Sequence, residues 1–179
     1  MNLRRKTILT ATLLLALASV ASAQVYTTTV TYFNVASVES FTVTLPGESA
    51  VPATGGGAAT HDIEFNSTDG NDNCINPRVT GGGTAQSDGT PIFVIENTGT
   101  VNLDLTVNFT VSPPACVKVT GATTYAGACD TGLTIDTTAV TVQNDLTPTS
   151  SVNWYERANF TDCASQSTTR TQWVYGVES

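Results

Sequence analysis

The chain has 179 residues, 15 of them acidic and seven basic, for a net charge of −8. A surface this acidic repels phosphate backbones, which argues against nucleic acid as a partner. The length suffices for one domain with a real core.

The first 23 residues read as an export leader rather than as part of the fold. Arg4, Arg5 and Lys6 form a basic start, Ile8 to Ala21 an apolar stretch, and Ala21-Ser22-Ala23 a small-residue cleavage motif before Gln24. The apolar stretch is too short and wrongly flanked for a membrane span. The Arg-Arg pair lacks the apolar residues that should follow it in a twin-arginine signal, because Lys6 and Thr7 stand there. Cleavage would leave 156 residues with four basic side chains against 15 acidic ones, a net charge of −11. No second apolar stretch and no cysteine at the cleavage point would then hold the chain to a membrane. The expected location is extracellular or at the cell surface.

Residues 24–35, QVYTTTVTYFNV, predict a strand about 35 Å long. One face carries Val25, Thr27, Thr29, Thr31, Phe33 and Val35, the other Tyr26, Thr28, Val30, Tyr32 and Asn34. Neither face is purely polar, so the strand is suited to being covered on both sides, or on one side and an edge. It is either the first strand of its own domain or a donor that completes the sheet of a neighbour. As a donor it would use Val25, Tyr26, Val30, Tyr32 and Phe33 as its contact residues.

FTVTL (41–45) and HDIEF (61–65) predict further strands, with Phe41, Val43 and Leu45, then Ile63 and Phe65, facing inward. His61, the only histidine, reads as a surface residue at a strand start. Asp62 and Glu64 fall on the face opposite Ile63. DGNDNC places Asp69, Asn71 and Asn73 at alternate positions, like the opening of a calcium loop, but Cys74 stands where the turn glycine belongs and Thr80 where glutamate does. A polar turn is the better reading, and neither a metal nor a cofactor is expected.

Ile92–Ile95, the turn residues of ENTG, and the strict alternation of TVNLDLTVNFTV predict a β-hairpin over 91–111. CVKV, LTID, AVTV, SVNWYE and QWVYGV complete the strands. Trp154 is in phase with Val152, and Trp173 with Tyr175 and Val177, so core packing is expected of these aromatic residues rather than a sugar-binding platform. No helical periodicity follows residue 23. The expected fold is all-β: one β-sandwich, Ig-like or jelly-roll-like, of about 8–10 strands with a protruding N-terminal strand. The divisions are a leader at 1–23, a donor strand at 24–36 and a sandwich at 37–179.

Cys74, Cys116, Cys129 and Cys163 form an even set that reads as two disulfides in an exported chain. Cys116 and Cys129 flank one short segment, so Cys116–Cys129 with Cys74–Cys163 is the expected pairing. Asn66, Asn108 and Asn159 open Asn-x-Ser/Thr sequons and are candidate N-glycosylation sites. A nucleophile placed against an oriented base is not discernible, so an enzyme is not expected.

The leader, the immediate Thr-rich strand, the Lys-poor sandwich and ENTGTVNLDLTVNF together resemble archaeal secreted filament subunits, the bundling-pilus and thread proteins. More distantly, the chain resembles the camelysin-type biofilm fibre proteins. The resemblance spans the chain after the leader in organisation, and the four cysteines are no part of it. It implies extracellular filaments, head-to-tail homopolymers built by donor-strand complementation, with an often glycosylated surface. The competing expectation is a monomeric secreted module that binds glycans or other cell-surface proteins.

Overall fold

The computed structural model describes residues 26–35, 40–46, 51–53, 61–69, 73–79, 84–164 and 167–179. The expected leader lies outside them. Two six-stranded sheets pack face to face. In one the order is β10 (Val140–Leu146), β7 (Leu103–Phe109), β12 (Ser167–Glu178), β1 (Tyr26–Val35), β4 (His61–Asn66) and β5 (Arg78–Val79). In the other it is β3 (Val51–Ala53), β2 (Phe41–Thr44), β6 (Phe93–Asn97), β11 (Ser151–Phe160), β8 (Val117–Ala122) and β9 (Leu133–Thr134). The all-β sandwich is therefore as expected, although its twelve described strands exceed the expected number and the first does not protrude. One short helix, α1 (Tyr125–Asp130), packs on the second sheet, started by Thr124, whose Oγ1 accepts a bond from Gly127 N at 3.1 Å.

Strand alternation builds the core. Leu103, Leu105, Val107 and Phe109 of β7 are buried while Asp104, Thr106 and Asn108 between them are half-exposed. Opposite them lie Phe41 and Val43 of β2, Phe93 and Ile95 of β6, and Trp154, Ala158 and Phe160 of β11.

The expected 91–111 hairpin does not form. β6 pairs with β2 and β11, whereas β7 pairs with β12 and β10, so residues 98–102 cross from one sheet to the other. Asn97 explains the crossing. Its side chain is fully buried and donates to the carbonyls of Val101 (2.8 Å) and Leu146 (2.7 Å). Its Oδ1 accepts from Gly99 N at 2.9 Å. These bonds close a corner and leave the strands no ladder to share.

The expected disulfide pairing is also corrected. The bonds are Cys74–Cys129 and Cys116–Cys163, with Cα separations of 5.4 and 5.3 Å. Strand β8 carries the chain away from Cys116 before α1 places Cys129, so nearness in sequence is not nearness in space. Val117 pairs with Phe160, which brings Cys116 to the end of β11 beside Cys163. Ile75 bridges Ala158 on the other edge of β11, which brings Cys74 under α1 and Cys129. Disulfides of this kind persist in an oxidising compartment.

Candidate functional site

The strand singled out by the sequence has a defined seat. β1 runs parallel to β12 over ten rungs, Tyr26 opposite Ser167 through Val35 opposite Gly176. On its other edge it runs antiparallel to β4 over six rungs, Tyr26 opposite Asn66 through Thr31 opposite His61. β1 is thus an interior strand of its own sheet, not an appendage. Taking it out would part β12 from β4 and leave two sheet edges with unpaired backbone groups. The backbones of Tyr26, Val30, Tyr32 and Phe33 all lie in this seat, while Val25 lies outside the described residues. Residues 26–35 contain no charged side chain.

Buried side chains of the flanking strands line the seat: Ile63 and Phe65 on β4, Gln172 and Val174 on β12. At Gly176 the absent side chain admits Phe41 of the opposite sheet, since a Cβ there would stand 2.8 Å from the ring. Alternation therefore turns Gln172, Val174 and Gly176 inward. Trp173 and Tyr175 face outward, half-buried, and Val177 is exposed. Core packing holds for Trp154, but not for the β12 aromatic residues. Trp173 and Tyr175 stack on each other, centroids 5.8 Å apart and planes 18° apart. Each ring so covers one face of the other.

A polar cluster joins the sheets beside this seat. Glu156 of β11 is 1% exposed, and its Oε1 accepts from Trp154 Nε1 at 2.9 Å and from Gln172 Nε2 at 2.8 Å. Its Oε2 has no hydrogen-bond partner. Burial pushes the Glu156 pKa up to about 7, against the pull of the two bonds. Sequence reasoning passed over this residue, although the signal was there. Glu156 falls in phase with Val152, Trp154, Ala158 and Phe160, an acid on an apolar face.

The remaining candidates are engaged elsewhere. Asp69 forms a two-pronged ion pair with Arg78, Asn71 lies outside the described residues, and Asn73 is exposed. No group of three metal-ligating side chains occurs among the described residues. Glu64 is half-buried and lies 3.6 Å from Arg78, while His61 opens β4.

Of the sequon asparagines, Asn66 is 4% exposed and accepts from Thr68 N and Oγ1 while donating to Glu64. Asn108 donates to the carbonyls of Phe109 and Thr137, and Asn159 accepts from Cys74 N. On the outer side of β11, Arg157 bonds the Cys74 carbonyl and lies over the Tyr125 ring at 4.5 Å. Asp88 is held below the usual carboxylate range by bonds from Tyr125 and Asn76. This cluster anchors α1 and the 74–76 segment.

A shallow cleft of about 180 Å³ opens between β8, β9 and β10, with Trp154 at its floor and Thr123, Thr131 and Thr141 among its lining residues. No helix of the described residues is long and apolar enough to cross a membrane. Comparison with known proteins finds no matching family model, curated protein or solved structure.

Proposed function

We propose that this chain is an extracellular structural subunit that polymerises into filaments by exchanging β1 between copies. One observation carries the reading: the first described strand is an interior strand, bonded along both edges. A strand that leaves this seat opens one edge on β12 and one on β4, both ready to pair with another strand. The same strand of a second copy can then enter and restore every rung, so exchange needs no new contact. The self-seated form is the subunit before assembly.

A donor passed from each copy to the next is a heterologous contact, which propagates into an open filament. Main-chain bonds supply length-dependent affinity. Apolar side chains such as Val30 and Phe33 add about 1.5–3 kcal/mol each when fully buried. The role is structural and calls for no catalysis. The partner is a second copy of the chain, and the two disulfides suit a domain that stays folded outside the cell.

The self-seated β1 also favours a second reading, a monomeric surface module that keeps its own strand. Deleting residues 24–35 separates the two. The filament reading expects electron microscopy of the purified protein to show uniform thin fibres, absent from the deletion variant. Fibres that persist after the deletion, or a single monomeric peak for the intact protein on size exclusion, would sink strand exchange.

A further inference from the structure

Glu156 sits where the seat of β1 meets the opposite sheet. Its hydrogen bond to Gln172 ties β11 in one sheet to β12 in the other. Gln172 in turn shares a rung with Thr31 of β1, and Thr31 with His61 of β4. The carboxyl is fully enclosed, and its second oxygen has no partner. A neutral carboxyl tolerates that position, whereas a carboxylate there is an uncompensated buried charge.

We infer that Glu156 gates the release of β1: neutral, it stays buried between the two sheets beside the seat, and ionised, its buried charge draws water into that contact, so the sheets part there and the strand can leave. The inference rests on the strand-exchange reading above.

The surroundings offer the charge little compensation. On β11 itself, Arg157 points to the other face, toward the Cys74 carbonyl and Tyr125. From β12 the facing group is the neutral Gln172, since Arg170 is bonded to the Ser112 carbonyl near the surface. β8 presents Gly121 in register, and its Lys118 is exposed. Glu96 of β6 is exposed, and Asp104 of β7 lies on the outward-facing side of its strand. β1 contributes no charged residue, and β4 contributes His61 on the same rung and Asp62 on the next, opposite Val30, with Glu64 on the side of Arg78. Burial raises the pKa of Glu156 to about 7, so its charge appears within the physiological range.

The test is uptake of a fluorescein-labelled peptide of residues 24–35 by the full protein, followed by anisotropy from pH 4.5 to 8. Uptake should quicken by about tenfold or more across that range, since each unit of pKa displacement is a tenfold change in population. Glu156→Gln, a neutral isostere, should be slow at every pH, and His61→Gln should keep the wild-type profile. Loss of the profile in His61→Gln instead assigns the gate to the histidine and overturns the inference.

Uptake at a rate independent of pH overturns the gate alone. No uptake at any pH overturns strand exchange as well. Should Glu156→Gln fail to fold, wild-type hydrogen exchange decides. After correction for intrinsic rates, β1 amides should lose protection as pH rises while those of β8 keep theirs. Equal loss in both strands would show global opening and no gate.

Discussion

Glu156 is one acid on an otherwise apolar face, and its burial makes the fold less stable as pH rises. Its folded-state pKa of about 7 lies above the ordinary glutamate value of 4.5. Below about pH 4.5 both folded and unfolded chains hold the proton, and the residue exerts no penalty. Between 4.5 and 7 the folded chain binds the proton more tightly, so stability falls as pH rises. Above 7 the full penalty stands, about 3 kcal/mol for a group this buried. Glu156→Gln should therefore raise stability at pH 8, by up to about 3 kcal/mol, and change it little at pH 4. Urea melts at the two pH values check this, and equal effects at both would mean that the carboxyl never ionises in place. Asn97 is the other residue that sets local structure by its polar atoms. Its three bonds to the backbone turn what reads as a hairpin into a corner between sheets. ENTG is a turn signal in either case, and nothing in four residues says which sheet the next strand will join.

Legibility in the sequence followed burial at the level of elements. β7 was readable because one face meets the core and the other meets water, so apolar and polar residues alternate. β12 misled because its outward face carries Trp173 and Tyr175 while its inward face holds Gln172 and Gly176. There the apolar pattern points to the wrong side by one residue. Short strands such as β5 and β9, two residues each, carry no period at all. The disulfides failed for a related reason, since pairing follows where strands deliver cysteines and not how many residues lie between them. That outcome is testable. Non-reducing peptide maps should show Cys74 joined to Cys129 and Cys116 to Cys163. Replacing Cys116 and Cys163 with serine should lower stability by about 4 kcal/mol for a separation of 47 residues. It should also loosen the start of β12, where Tyr26 pairs with Ser167. A Cys116–Cys129 peptide in the map would overturn the observed topology around β8 and α1.

For the whole molecule, charge and assembly oppose each other. After residue 23 the chain holds four basic residues against 15 acidic ones, so neighbouring copies repel. The residues linking β1 to β2, 36–40, can span at most about 18 Å, so strand exchange brings whole domains close. Repulsion at that range is strong at low salt and largely screened once the Debye length falls to about 10 Å, near 0.1 M. β1 carries no charge of its own, so its insertion adds no ionic attraction for salt to weaken. Filament growth at fixed pH 8 should therefore accelerate from 10 mM to 500 mM sodium chloride, read by light scattering and confirmed by microscopy. Holding the pH fixed keeps Glu156 in one charge state, so salt acts on contact between copies alone. Growth that slows with salt would mean that opposite charges, not a neutral strand, hold the copies together.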